Sequence, residues 1–146
     1  MTSGELADAT IVFDLDGTLV DTAPDLVRAL NETMAIEGLP RVKLDAVRSM
    51  VGQGARVLIE RAAARAGVNF RDEKLDQLTE AFVEFYRADI ARESRPFPGV
   101  EDTLAGFAAM GAKLAVCTNK RTELSLQLLT ALNLTDWFAA IVGADA

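Results

Sequence analysis

Two aspartates separated by one residue, Asp14 and Asp16, stand directly behind the apolar run Ile11-Val12-Phe13 and directly before Gly17-Thr18. β-Branched and aromatic residues in such a run suit a buried parallel strand, and the glycine supplies a sharp break after it. Both carboxylates then fall at a strand's carboxyl end, outside which open α/β sheets bind their ligands. If the chain stays extended through Asp16, the two-residue period turns both side chains the same way. Two like charges that close need a cation or a shared proton, and a hard, oxygen-seeking ion such as Mg²⁺ suits them. Asp14 and Asp16 are therefore the candidate metal ligands.

Other readings of this stretch are weaker. As a calcium loop of the EF-hand kind it would carry Leu19 where glycine is needed and Asp25 where glutamate is needed, with a strand in front of it. A phosphoacceptor receiver domain also uses an acidic strand end, but the long helical stretch that follows fits it poorly. A plain surface turn rich in Asp and Gly is the remaining alternative.

Asp14-Leu15-Asp16-Gly17-Thr18 matches the Asp-x-Asp-Gly-Thr form throughout, and so resembles the first motif of the haloacid dehalogenase superfamily, the aspartate-nucleophile phosphatases. The resemblance implies that Asp14 attacks phosphorus to form an aspartyl-phosphate. Asp16 would protonate the leaving alcohol and then activate water. Gly17, lacking a side chain, and Thr18 beside it would let backbone amides approach the phosphate. Thr118, after the apolar run Leu114 to Cys117, resembles the second motif, a hydroxyl that binds the transferring phosphoryl group. Asn119, and amides before the helix expected from Glu123, would add donors. Thr118-Asn119-Lys120 further resembles the phosphoglycolate phosphatase group within the superfamily. That implies a small phosphorylated carboxylic acid as substrate, with Lys120 balancing its charge at the cleft mouth.

Helical periodicity fills the segment between the two motifs. Thr22 is placed to cap a helix whose first turn holds Pro24 and Asp25 and whose apolar positions are Leu26, Val27, Leu30 and Met34. Gly38-Leu39-Pro40 ends it. Further helices are predicted over 44–50, 55–66 and from about 71 to 91, the last carrying a stripe of Leu75, Leu78, Phe82, Phe85 and Tyr86 that reads as packing core. A helix over 100–110, a strand over 113–117, a helix over 123–132 and a strand over 138–142 follow, a parallel crossover pattern. The expected fold is thus α/β with a helical insert, and the resemblance implies an incomplete Rossmann-like parallel-sheet core from 1–20 and 96–146 with the insert over 21–95 as an α-helical cap domain. Val20 to Pro24 and Ser94 to Gly99 are the expected hinges. Gly52, Gly54 and Arg56 resemble the glycine-rich cap loop that faces substrate in the phosphoglycolate phosphatase group, while Gly-Gln-Gly also serves as a simple turn.

Composition narrows the function classes. The 146 residues are 50% hydrophobic, enough for a core, and the net charge of −7 argues against nucleic-acid and anionic-membrane surfaces. No apolar stretch approaches a membrane span, and the first residues lack a signal peptide's basic and apolar regions, so a cytoplasmic location is the expectation. Zero histidines remove imidazole bases and histidine-held metals. The single Cys117 excludes an internal disulfide and is expected in the core.

No residue of the sequence sits where the superfamily carries its third motif, a lysine, or its fourth, an acidic strand end. Lys113 precedes its strand, Lys120 belongs to the second motif, and Asp145 looks like an acid the family carries near but outside the metal site. The expectation is a C-terminally truncated, Mg²⁺-dependent phosphate monoester hydrolase with little activity. A catalytically silent fragment and a sugar-phosphate mutase are the alternatives. Thr-Asn-Lys favours hydrolysis over mutase chemistry, and dehalogenation would not need Mg²⁺ or the role of Asp16. In the family's topology the first strand would be left with an open apolar edge, for which self-association is expected.

Overall fold

In a computed structural model that describes residues 4–146, the apolar run behind the aspartates is strand β1 (Thr10–Phe13), as its residue types predict. The short strand β2 (Val20–Asp21) follows, then helices α1 (Ala23–Ile36), α2 (Leu44–Arg48), α3 (Ala55–Arg65) and α4 (Asp72–Ala88). Strand β3 (Arg95–Pro96), helix α5 (Val100–Ala109), strand β4 (Lys113–Cys117), helix α6 (Thr122–Ala131) and strand β5 (Ala140–Val142) complete the chain. The chain divides into two units, residues 22–94 and a second made from 4–21 together with 95–146.

The second unit is built on a parallel sheet of order β1-β4-β5, in which Phe13 pairs with Val116 and Val116 with Ile141. Residue alternation gives this sheet one covered face. Leu114 and Val116 are buried and Ile11, Phe13 and Ile141 half-buried, with the Phe13 ring 6.2 Å from that of Phe107 on α5. The opposite face presents Val12, Cys117 and Val142, and Val12 is 58% exposed. As expected, β1 is an edge strand among the described residues, but the burial expected of its apolar run is confined to one face and the other is bare. Cys117 departs from the expected core position for the same reason, since Leu114 and Val116 take the inward positions of β4 and the period of two turns Cys117 out. Its thiol is accordingly expected to react stoichiometrically with Ellman's reagent in the native protein within minutes. A thiol that reacts only after denaturation would contradict this placement.

The helical unit closes around α4. Leu75, Leu78, Phe82 and Tyr86 are buried, with the Phe82 and Tyr86 rings stacked at 6.0 Å, so the apolar stripe is core as its spacing predicts. Leu26, Leu30 and Met34 of α1 and Leu58 and Ile59 of α3 supply the rest. Gly38 and Gly67 end α1 and α3 in the left-handed conformation, and the amides of Leu39 and Val68 reach back to Met34 and Ala63. Thr22 makes no side-chain cap bond. The first turn of α1 is anchored instead by Asp25, fully buried, whose Oδ2 accepts hydrogen bonds from the Glu93 and Ser94 amides (3.0 and 2.8 Å) and the Ser94 hydroxyl (2.6 Å). Helix α4 stops at Ala88 rather than near 91. Strand β5 starts at Ala140 because a 3₁₀ turn, Thr135–Trp137, occupies the residues before Phe138. Among the described residues no helix is long and apolar enough to cross a membrane.

Candidate active site

The parallel pairing of β1 and β4 brings the residues after Phe13 and after Cys117 to the same end of the sheet. Asp14 is exposed there, and its Oδ1 accepts the Leu15 amide at 2.7 Å, which orients the carboxylate and leaves Oδ2 without that constraint. Extended geometry does not persist to Asp16. Leu15 turns inward and is fully buried, and its carbonyl receives the amides of Thr18, Leu19 and Val20 at 3.2, 3.0 and 3.2 Å. This tight turn is possible because Gly17 takes a φ of +76°, a conformation in which a side chain would be strained. Gly17 and Thr18 lie exposed at its tip.

The turn brings Asp16 back to a partner that sequence reasoning did not identify. Asp16 Oδ1 lies 3.0 Å from Lys120 Nζ, with the two side chains only 10% and 6% exposed. It is a charge contact rather than an aligned hydrogen bond. Lys120 is therefore a buried cation joined to the acid, where an open cleft mouth was expected. Its main chain serves a second member of the site, since the Lys120 amide donates to Thr118 Oγ1 at 3.1 Å. With that oxygen accepting from Lys120, the Thr118 hydroxyl proton is directed elsewhere, as a phosphate-binding donor requires. Thr118 is buried and Asn119 exposed.

A strap from the end of β5 fixes this loop. The Thr122 amide and hydroxyl both donate to Asp145 Oδ1 at 2.8 Å, the Gly143 amide donates to Thr122 Oγ1 at 3.1 Å, and the Ala144 amide to the Lys120 carbonyl at 3.0 Å. The Thr122 amide foremost, then its hydroxyl, hold the Asp145 carboxyl below its ordinary pKa. Sequence reasoning placed Asp145 near the site but missed its role as the cap of α6; an acid two residues after a glycine at a strand end was the available signal. Gly143 is required by space, because a Cβ there would lie 2.3 Å from the Thr122 nitrogen and 2.6 Å from the Lys120 carbonyl oxygen. Both are backbone atoms, so the loop would have to move. Gly143→Ala is expected to cost about 1–3 kcal/mol in urea unfolding. A variant as stable as the parent would refute this packing.

Arg56 lies in the helical unit, where its guanidinium pairs with Asp76 and, at 3.0 Å, with Asp72 of α4. Gly52 and Gly54 before it both take positive φ, as a tight turn into α3 needs. An apolar cavity of about 300 Å³ lined by Phe13, Thr18, Leu19, Phe97, Val100 and Leu104 lies in the sheet unit and includes neither aspartate nor Thr118.

For a divalent ion, the donor set is hard oxygen. Asp14 offers an exposed carboxylate, and Asp16 a second one that Lys120 already balances. No group of three or more acidic, cysteine or histidine side chains gathers among the described residues. Mg²⁺ needs no such cage, since it commonly takes one or two carboxylates and completes its shell with water and substrate phosphate. The residues present fit that mode.

Comparison with known proteins shows the family and the fold. Residues 11–146 match the family described as haloacid dehalogenase-like hydrolase. The phosphoglycolate phosphatase of Caulobacter vibrioides is 55% identical over 141 residues, covering 97% of this chain and 60% of that one. That of Agrobacterium fabrum is 50% identical over 145 residues, covering 99% and 62%. The chain thus spans about 60% of the length of these relatives. Among solved structures, a predicted phosphoglycolate phosphatase from Haemophilus somnus superposes with a TM-score of 0.83 at 33% identity, covering 99% of this chain and 64% of that one. CbbY from Rhodobacter sphaeroides, solved in complex with phosphate, superposes with a TM-score of 0.73 at 25% identity, covering 99% and 64%.

Proposed function

The chain belongs to the haloacid dehalogenase-like hydrolases, and from that premise we propose that it carries the catalytic groups of an Mg²⁺-dependent phosphate monoester hydrolase acting on phosphoglycolate. The observation that carries this reading is the junction of Asp14, Asp16 and Thr118 at one sheet end, where Lys120 links the last two. The relatives named phosphoglycolate phosphatase support the substrate, and the phosphate complex of CbbY supports a phosphate site.

The steps follow from the side chains. Asp14, steadied by the Leu15 amide, attacks phosphorus with its other oxygen; the new O–P bond forms as the ester P–O bond breaks. Asp16, entering the step protonated, gives its proton to the departing oxygen and is left as a carboxylate beside Lys120. It then takes one from the water that attacks the aspartyl-phosphate, which returns Asp14 to a free carboxylate and releases phosphate. The Thr118 hydroxyl donates to the phosphoryl oxygens, whereas the Gly17 and Thr18 amides, expected to do so, are taken by the Val20 and Leu15 carbonyls. Asp14 and Asp16 would hold Mg²⁺, which would supply charge neutralisation at the phosphoryl group when bound.

One observation favours a second reading, phosphate binding without turnover. Among the described residues no third acid joins the aspartates, so a Mg²⁺ ion, and with it the charge neutralisation that electrostatic catalysis needs, would be held by two carboxylates alone. Phosphate release from phosphoglycolate, measured with and without Mg²⁺ on the 146-residue chain, decides between them. Release that requires Mg²⁺ supports the hydrolase. Its absence, with inorganic phosphate still bound in a ³¹P titration, assigns the chain to the second reading.

A further inference from the structure

The loop that carries Thr118 is tied along its length to the end of β5. The Thr118 amide donates to the Val142 carbonyl and the Ala144 amide to the Lys120 carbonyl, each at 3.0 Å. These ties are main chain to main chain and tolerate most substitutions. The others pass through the Thr122 hydroxyl, which accepts the Gly143 amide at 3.1 Å while it donates to Asp145 Oδ1 at 2.8 Å. The same Oδ1 receives the Thr122 amide at 2.8 Å, so one exposed carboxylate oxygen fixes both the first turn of α6 and the direction of the Thr122 hydroxyl. Two residues earlier, the Lys120 amide donates to Thr118 Oγ1 at 3.1 Å. A shift of the loop at Thr122 is thereby passed to the group that sets the Thr118 hydroxyl.

We propose that Asp145 is a positioning residue for phosphate binding: by capping α6 through Thr122 it holds residues 118–122 in the conformation that aims the Thr118 hydroxyl at the phosphoryl group. This inference rests on the reading of Thr118 as a phosphate donor. Asp145 acts here through geometry and not through its charge, since a carboxylate repels phosphate. An uncapped loop visits other conformations, and affinity falls by the fraction of molecules that leave the competent one.

Inorganic phosphate is titrated against the 146-residue chain in excess Mg²⁺ and followed by ³¹P NMR. Asp145→Asn keeps an oxygen for both Thr122 bonds and removes the charge, whereas Asp145→Ala removes both, so the two variants differ in the cap and not in net charge. Asp145→Asn is expected to bind phosphate at least as tightly as the parent. Asp145→Ala is expected to bind about fivefold more weakly than Asp145→Asn, the equilibrium factor of one lost helix cap. The same pair is then compared with Thr118→Ala added to each, where weaker binding is followed at higher phosphate. The fivefold gap closes there if Asp145 works through the Thr118 hydroxyl, and a general loosening of the fold would keep it open. Equal affinities of the two Asp145 variants overturn the proposal, as does a gap that persists without the Thr118 hydroxyl. Failure of the unsubstituted chain to bind phosphate overturns the phosphate-site reading and this inference with it, a result distinct from equal binding by all.

Discussion

Asp14→Asn is expected to lower Mg²⁺-stimulated phosphate release from phosphoglycolate by about a thousandfold or more, the scale on which removing a covalent nucleophile acts. Asparagine suits the test because it changes chemistry and little else. The Asn carbonyl oxygen can still accept the Leu15 amide that now reaches Asp14 Oδ1 at 2.7 Å, so the turn keeps its geometry. The other position becomes an NH₂ group, which has no lone pair for phosphorus. Asp14 is also exposed, so the substitution removes no buried charge, and thermal unfolding should move by no more than a few degrees. Release assayed alongside the parent chain is the measurement. Release retained by the variant would assign it to another residue or to a contaminating phosphatase.

Asp25→Ala has its large effect on stability. The carboxylate is 1% exposed, receives three hydrogen bonds from Glu93 and Ser94, and lies 3.6 Å from Arg28. Alanine would leave two main-chain amides and a hydroxyl without their acceptor and Arg28 without its acid. Breaking a buried charged network from one side typically costs about 3–5 kcal/mol. Urea unfolding followed by circular dichroism is expected to show that loss in the helical signal, with Asp25→Asn recovering part of it through its remaining acceptor. A loss below about 1 kcal/mol would show that water replaces the carboxylate at little cost.

How far the sequence foretold these features depended on the range of the interactions. β1 and the four helices of residues 22–94 were legible because apolar spacing reports directly on period, and the glycines after α1 and α3 marked their ends. Asp14, Asp16 and Thr118 stood out through residue type and position after strands. The pairing of Lys120 with Asp16 was not legible, since it depends on Gly17 turning the chain back at a place no local pattern specifies. Nor was the anchoring of Asp25 by Ser94, whose partners are 69 positions apart. Cys117 shows a different failure. A run of four apolar residues does not reveal which face of a strand is covered, and only the register of β4 with its neighbours settled that.

The two-residue ribbon of β2 and β3 has an implication for how such a chain is altered. Val20 pairs with Pro96 and Asp21 with Arg95, antiparallel, so the polypeptide leaves the sheet unit and returns to it at adjacent points. A loop of about two to five residues spans such a gap. Residues 22–94 are in this sense a cassette, and Asp25 is its clasp, fastening both of its ends from within. Replacing the cassette by a short hairpin, or grafting another between the same two strands, leaves every hydrogen bond of the sheet in place.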